Sequence, residues 1–148
     1  MTVQTGGRQV LVHGLALILA GLLWGMCVPL TPYPRLALGA HIQFNVNGML
    51  LILLSLVLTK VPNRSGAGTA GAMVFTAWMT WPMALSEVAN AWWGTRQVLP
   101  IAAEQAGASG GATWQELIVT ACHIPGSIGL ILTVGLLLSG VLRQVDPG

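Results

Sequence analysis

Charge is what this sequence has least of. Only 7% of its 148 residues are charged, whereas 54% are hydrophobic. A soluble domain usually carries about a quarter charged residues. The net charge of +2 is also too small to suggest a nucleic-acid partner. The composition therefore excludes an ordinary soluble domain and predicts an integral membrane protein, forming a single all-α domain over residues 1–148.

The chain also lacks the motifs of several enzyme classes. It contains no HExxH, no CxxC and no paired carboxylates, so a dedicated zinc or di-iron centre is not expected. Its two cysteines, Cys27 and Cys122, lie in apolar stretches and are expected to be buried thiols. No Ser-His-Asp arrangement and no nicotinamide or flavin motif is visible. Histidines, amides and one membrane carboxylate remain as candidates for chemistry.

Long apolar stretches are what the sequence does have. A membrane-spanning helix needs about 20 mostly apolar residues. Four windows qualify, at residues 9–29, 38–60, 70–93 and 115–142. They are separated by the proline-rich "PLTPYPR", the flexible "KVPNRSGAGTAG" and the long loop "RQVLPIAAEQAGASGGAT". We therefore predict a bundle of four transmembrane helices.

The few cationic residues predict the orientation of this bundle. Cytoplasmic loops carry more Lys and Arg than loops on the other side of a membrane. Four such residues flank the spans on one side and two on the other: Arg8, Lys60, Arg64 and Arg143 against Arg35 and Arg96. Both termini are therefore expected to face the cytoplasm.

Several polar side chains fall inside the predicted spans, where they are costly and mark functional sites. Because successive helices run in opposite directions, six of them share one half of the membrane: His41, Asn45, Asn47, Glu87, Asn90 and His123. His13 is predicted at the opposite end. At about 100° per residue, His41, Asn45 and Gly48 share one face of the second helix, while Gln43 and Asn47 point elsewhere. One of these faces is expected to meet another subunit of a homo-oligomer.

Each of these residues also has an ordinary structural explanation. A single histidine near a helix end often only completes an interfacial hydrogen bond, and Glu87 could be a protonated carboxyl bonded to Asn90. Trp78 and Trp81 could pack in the core or line a pocket for a flat apolar ligand. Trp92 is expected near the outer interface. The shared depth of the polar set favours a site. Histidine with amide neighbours in an apolar cavity would suit a haem held by one imidazole.

Three segments carry a family resemblance: "VHGLALILAGLLWG", "PRLALGAHIQFNVNGMLLILLSLVL" and "ANAWWGTRQVLPIAAEQAGASGGATWQE". They resemble the bacterial hydroxylaminobenzene mutases, small four-helix membrane enzymes related to the styrene oxide isomerases. The most specific part is a histidine followed six residues later by Asn-Gly, which His41, Asn47 and Gly48 match. The "WGT…LPIAA" segment favours the mutase branch. The resemblance implies an isomerase in the bacterial inner membrane.

The resemblance also implies a cofactor and an assembly. The resemblance to styrene oxide isomerase implies a homotrimer with ferric haem b between protomers. The histidine matching His41 holds the iron, which acts as a Lewis acid on the substrate oxygen, and the asparagine matching Asn47 orients that oxygen. The epoxide isomerase also uses a tyrosine after the third-helix asparagine, where this chain reads "NAWWG". That difference argues against styrene oxide rearrangement by the full set of family residues.

Together these features predict a reaction and a site. Aryl hydroxylamines of the hydroxylaminobenzene type would rearrange to 2-aminophenols, with ferric haem on His41 weakening the N–O bond. Asn47 would hold the migrating oxygen, and Glu87 or Asn90 would take the ring proton. His13 and Asn45 are expected to contact the haem. The pocket for the arene is expected to be lined by Trp78, Trp81, Trp92 and His123.

Other functions are also compatible with these residues. An epoxide-to-aldehyde isomerase would use the same frame. A membrane b-type cytochrome would use His41 and His123 as two axial ligands of one haem. A small multidrug transporter usually carries its glutamate in the first helix, which here has none. A non-catalytic assembly subunit would leave the polar cluster without explanation.

Overall fold

The computed structural model describes residues 1–145, and within them the chain is all-α with no β-strand, as the composition predicts. The last three residues of the predicted single domain lie outside this range. The helices are α1 (Val3–Cys27, continued by a short 3-10 turn at Val28–Leu30), α2 (Pro34–Lys60), α3 (Ala67–Trp93), α4 (Pro100–Gln105) and α5 (Thr113–Val145). The four predicted windows lie within α1 with its turn, α2, α3 and α5.

Among the described residues, three segments are long and apolar enough to cross a membrane: Val3–Leu30, Pro34–Lys60 and Thr113–Gln144. They indicate a membrane protein. Helix α3 is as long as α2, with 27 residues each. It is not among the three segments, and it carries the buried polar residues Thr80, Glu87 and Asn90.

Local sequence explains where the helices begin and end. The Thr2 hydroxyl caps α1 by accepting a hydrogen bond from the Thr5 N–H, at 3.1 Å. Helix α2 starts with Pro34, whose fixed φ suits the first helical position. Helix α3 is capped at its C-terminus by Gly94, which adopts a left-handed φ of 64° while its N–H bonds the Asn90 carbonyl. The prolines between the apolar stretches lie at or near helix ends, whereas Pro82 and Pro125 lie inside α3 and α5.

Close packing of α1 on α2 depends on small residues. A side-chain carbon at Gly14 would lie 2.8 Å from the Gly48 carbonyl oxygen, so the two backbones touch there. Helix α3 packs on both α1 and α2, and α5 packs mainly on α3. Because α5 touches α2 only slightly, a cleft separates those two helices.

The core and the outer surface are both apolar, as a lipid environment allows. The core lies between α1, α2 and α3 and includes Leu17, Phe44 and Met73. Large apolar side chains such as Leu19 and Ile131 are exposed on the outside. Cys27 is also exposed and Cys122 is half-buried. The expectation of two buried thiols is therefore wrong for Cys27, and Cys122 is only partly buried.

Residues 94–112, here called the cap, join α3 to α5 across one end of the cleft. The cap contains α4, and its residues Ala103 and Ala108 pack against Leu36 of α2 in a small second core. The longest predicted loop is thus partly helical and packed on the bundle.

Candidate active site

A cavity of about 440 Å³ lies in the cleft between α2 and α5, beside α3 and below the cap. Its size is within the range of small-molecule sites. The polar lining residues are Arg35, Gln43, Asn47, Glu87 and His123. The others are Gly39, Ile42, Val46, Met83, Leu99 and Ala102. The walls are mostly apolar, and the polar groups come from three helices, α2, α3 and α5.

Glu87 and His123 form a close pair across this cavity. The Glu87 side chain is buried, with 1% of the residue exposed. His123 Nε2 lies 3.1 Å from Glu87 Oε1, while His123 Nδ1 lies 2.7 Å from the Val119 carbonyl oxygen. A carbonyl only accepts, so Nδ1 carries a hydrogen and Nε2 faces the carboxyl group. The Nε2 contact is close but not aligned as a hydrogen bond, and neither Glu87 oxygen has an aligned donor among the described residues.

Two amides of α2 also present unpaired atoms to this part of the bundle. Gln43 Oε1 and Asn47 Nδ2 are buried without a hydrogen-bond partner in the described chain. The two residues are one helical turn apart and line the same cavity. Leaving a buried polar atom unpaired costs about 1–3 kcal/mol, so such atoms call for an explanation. Together with Glu87 they offer acceptors and one donor to a polar ligand.

Asn90 has a different position from the one predicted. Its Oδ1 accepts hydrogen bonds from the Thr95 backbone N–H and hydroxyl, both at 2.7 Å, and it does not bond Glu87. It ties the end of α3 to the cap and is not among the residues lining the cavity. Its role as a proton acceptor stays a prediction.

His41 lies on another face of α2, towards α1. It borders a separate hollow of about 390 Å³ with apolar neighbours that include Leu22 and Leu38. His41 Nδ1 donates to the Gly21 carbonyl oxygen at 2.8 Å, so its Nε2 keeps a free lone pair. Asn45 Nδ2 donates to the His41 carbonyl oxygen at 2.7 Å. These two residues share one face, while Asn47 faces the cavity, which matches the spacing argument.

Glycine in α1 makes the position of His41 possible. A side-chain carbon at Gly25 would lie 2.8 Å from His41 Nδ1, so any larger residue would displace the imidazole. Gly25 thus packs on the histidine that the family motif singles out, and Gly21 accepts its hydrogen bond.

The remaining predicted residues gather elsewhere. Trp81 Nε1 donates to His13 Nδ1 at 2.9 Å, and the Trp78 ring meets the His13 ring edge to face at 4.6 Å. Because Gly14 beside His13 packs on Gly48 in the middle of α2, His13 lies nearer the midpoint of the bundle than predicted. Trp92 tilts against Trp24, with ring centroids 5.7 Å apart. Of the residues predicted for the arene pocket, only His123 lines the cavity, and the others keep their roles as predictions.

Some lining residues were not in the predicted site. Gln43 could have been found, because it lies four residues before Asn47 on the same helical face. Arg35, Gly39 and Leu99 carry no sequence signal of this kind. Their contribution depends on how the cap folds back onto α2.

Comparisons with known proteins agree with the resemblance in the motifs. Residues 7–142 match the family described as styrene oxide isomerase. The chain is 32% identical over 136 residues to hydroxylaminobenzene mutase HabB of Ectopseudomonas oleovorans, covering 90% of this chain and 80% of that protein. It is 28% identical over 132 residues to hydroxylaminobenzene mutase HabA of the same organism, covering 88% and 94%. No solved structure matches. The predicted family is confirmed: the chain belongs to the styrene oxide isomerase family and is an isomerase.

Proposed function

We propose that the protein is a membrane-bound intramolecular hydroxy transferase that converts hydroxylaminobenzene-type aryl hydroxylamines into 2-aminophenols. The observation that carries this proposal is the convergence of unpaired Gln43, Asn47 and Glu87 atoms on one largely apolar cavity. The names of the two hydroxylaminobenzene mutases support the choice of substrate.

An aryl hydroxylamine complements this cavity group by group. Its N–H and O–H are donors, which the Glu87 carboxylate and Gln43 Oε1 would accept. Its oxygen is an acceptor, which Asn47 Nδ2 would bind. The ring is flat and apolar and would lie against side chains such as Val46 and Met83. Satisfying these buried atoms would contribute to binding and orientation together.

The proposed reaction moves the hydroxyl group from nitrogen to the ortho carbon. The N–O bond breaks, the positive charge spreads over the ring, and the same oxygen bonds the ortho carbon. Asn47 keeps that oxygen beside the ring by donating a hydrogen bond. Glu87 takes the ring proton, and the Glu87–His123 pair returns a proton to nitrogen. The product is an isomer of the substrate, and the apolar walls keep water from trapping the cation.

We also propose that His41 holds a ferric haem b, as the resemblance implies. The donor chemistry fits, because the Nδ1 bond to Gly21 orients the ring and leaves Nε2 as the iron-binding atom. The adjoining hollow is lined by apolar residues such as Leu22 and Met26. When bound, the haem would supply a Lewis acid that weakens the N–O bond. His13 lies in a different hollow, so His41 is the proposed ligand.

This combination requires a homo-oligomer, proposed as a trimer by resemblance. His41 and Asn47 are six residues apart and so point about 120° apart around α2. Within one chain, the His41 hollow and the cavity therefore lie on different faces. A second copy could bring its His41 face to the cavity, where Ile42 and Val46 are exposed at the rim. The haem would then lie between protomers.

The membrane arrangement is part of the same proposal. We place the chain in the bacterial inner membrane with α3 as the fourth span and both termini in the cytoplasm. The excess of Lys and Arg on one side supports this orientation. Sequestered by α1, α2 and α5, the polar residues of α3 would avoid lipid.

The decisive experiment is a product assay on washed membranes that contain the protein. Hydroxylaminobenzene should give 2-aminophenol. When the reaction is run in water enriched in a heavy oxygen isotope, the product should contain no isotope label, because the hydroxyl group moves within the molecule. Leu53→Ala, on the exposed side of α2, is the matched control and should behave as wild type. Membranes that contain folded protein but form no 2-aminophenol would refute the proposal.

The haem has its own test. Protein purified in mild detergent should show a Soret absorption band, and His41→Ala should lose it. If the folded wild-type protein is colourless, the haem proposal is refuted. Proton transfer by Glu87 and His123 would then be the remaining chemistry.

An epoxide-to-aldehyde isomerase is the second candidate, favoured by the family description. An epoxide offers only an acceptor oxygen, which Asn47 would satisfy, but it leaves the Glu87 and Gln43 oxygens without a donor. We therefore expect styrene oxide to be turned over more slowly than hydroxylaminobenzene in the same membranes.

A further inference from the structure

Glu116 of α5 ties the two ends of the cap together. Its carboxylate accepts the backbone N–H groups of Arg96, Gln97 and Gly111, at 3.0, 3.0 and 3.1 Å. The residue is buried. Hydrogen bonds to a carboxylate are stronger than those between neutral groups. A single side chain thus joins both ends of the cap to the first turn of α5.

Further contacts hold the cap in place. Arg35 Nε donates to Gln105 Oε1 at 2.8 Å, linking α2 to α4. Thr95 is bonded to Asn90 at the end of α3. Gly107 ends α4 with a left-handed φ of 69°, a conformation that other residues rarely adopt. The cap is therefore packed against the bundle and covers the cavity.

Leu99 is a cap residue that borders the same part of the cavity as the Glu87 carboxylate. It directly precedes Pro100, the first residue of α4, and lines the cavity. A side-chain carbon built on Gly39 would lie 3.8 Å from Leu99 Cδ1 and 3.9 Å from Glu87 Oε2. Gly39, Leu99 and Glu87 therefore border one small space beside the carboxylate.

We propose that Leu99 determines which ortho substituents the aryl substrate can carry, with Gly39 forming the opposite wall. The inference rests on the proposed function, in which the substrate nitrogen lies at Glu87. A group on the carbon next to that nitrogen would enter the space below Leu99. A group at the para position would point away from it. The structure thus assigns selection at one ring position to one side chain of the cap.

The test compares hydroxylaminobenzene with its 2-isopropyl and 4-isopropyl derivatives, each of which keeps a free ortho carbon. Leu99→Ala should raise kcat/KM for the 2-isopropyl substrate relative to hydroxylaminobenzene by about tenfold, since one or more methylenes of space are opened. The relative value for the 4-isopropyl substrate should stay within about twofold. Gly39→Ala should lower the 2-isopropyl ratio, because the added methyl group fills the same space.

Ile101→Ala is the matched control, because Ile101 lies two residues from Leu99 but is 71% exposed. It should leave every ratio at the wild-type value. If Leu99→Ala leaves the 2-isopropyl ratio unchanged while hydroxylaminobenzene is still turned over, the inference is overturned and the proposed function stands.

A binding measurement separates the two proposals. Aniline and 2-isopropylaniline cannot rearrange, and their Kd values can be measured calorimetrically with the purified protein in detergent. If no substrate is turned over but Leu99→Ala still gains affinity for 2-isopropylaniline over aniline, the reaction is refuted and the size selection stands. If neither amine binds any variant, the selection is overturned as well.

Discussion

The two faces of α2 differ in how their polar groups are satisfied. On the face towards α1, His41 and Asn45 are each bonded to a backbone carbonyl. On the cavity face, Gln43 and Asn47 have buried atoms without a partner. A satisfied side chain is held in one orientation, which suits a metal ligand, whereas unpaired atoms suit contact with a substrate. One helix thus provides two kinds of site.

Removing the carboxylate on the cavity side should have the largest effect. Glu87→Gln keeps the size of the side chain but abolishes proton transfer, so kcat should fall by about a thousandfold. Glu104→Gln makes the same change on the exposed surface of α4 and should be neutral. Initial rates of 2-aminophenol formation measure both. An unaffected Glu87→Gln variant would show that the base lies elsewhere.

A matched pair of amide variants sharpens the contrast between the two faces. Asn47→Ala should lower kcat by about a hundredfold, because it removes a donor to the migrating oxygen. Asn45→Ala should cost far less, since its side chain only bonds the His41 carbonyl. Equal losses in the two variants would contradict the division of roles between the faces.

A pair of histidine variants tests the alternative that the protein is a membrane b-type cytochrome. His41 and His123 border different cavities of one chain, so they are not placed to ligate one haem within it. His123→Ala should therefore keep the Soret band that His41→Ala loses. Loss of the band in both variants, with the folded helix content intact by circular dichroism, would instead favour two axial histidines.

The smallest effect is expected from the base of the cap. Glu116→Gln weakens three hydrogen bonds and should destabilise the closed cap by about 1–3 kcal/mol. Trypsin should then cleave after Arg96 faster than in wild type. Glu104→Gln again serves as the control. Cleavage at the wild-type rate in Glu116→Gln would mean that other contacts hold the cap.

Much of the site could be foreseen from short-range patterns. The spacing of His41, Asn45 and Asn47 predicted that they divide between two faces of a helix, and the structure places them so. Alternating helix direction brought Glu87 and His123 to one depth, and they lie in contact. These predictions depend only on helical geometry and on the order of the spans.

The tryptophans show where such reasoning ends. Trp78 and Trp81 were expected either to pack in the core or to line an arene pocket, and in the structure both contact His13. The depth of each tryptophan in the membrane follows from its position along α3. Which face of α3 meets α1 depends instead on how the two helices are rotated about their axes. That rotation is set by packing between residues far apart in the chain.

The amino-acid sequence by itself determined the all-α class, the apolar helices and the polar residues that divide α2 into two faces. These follow from composition and from the helical repeat, which act locally. Only the tertiary structure decided that Gln43 and Leu99 share a cavity with Glu87 and that Glu116 fastens the cap above it. Such contacts join α2, α3, the cap and α5, and no local pattern encodes them because they arise from the packing of distant segments.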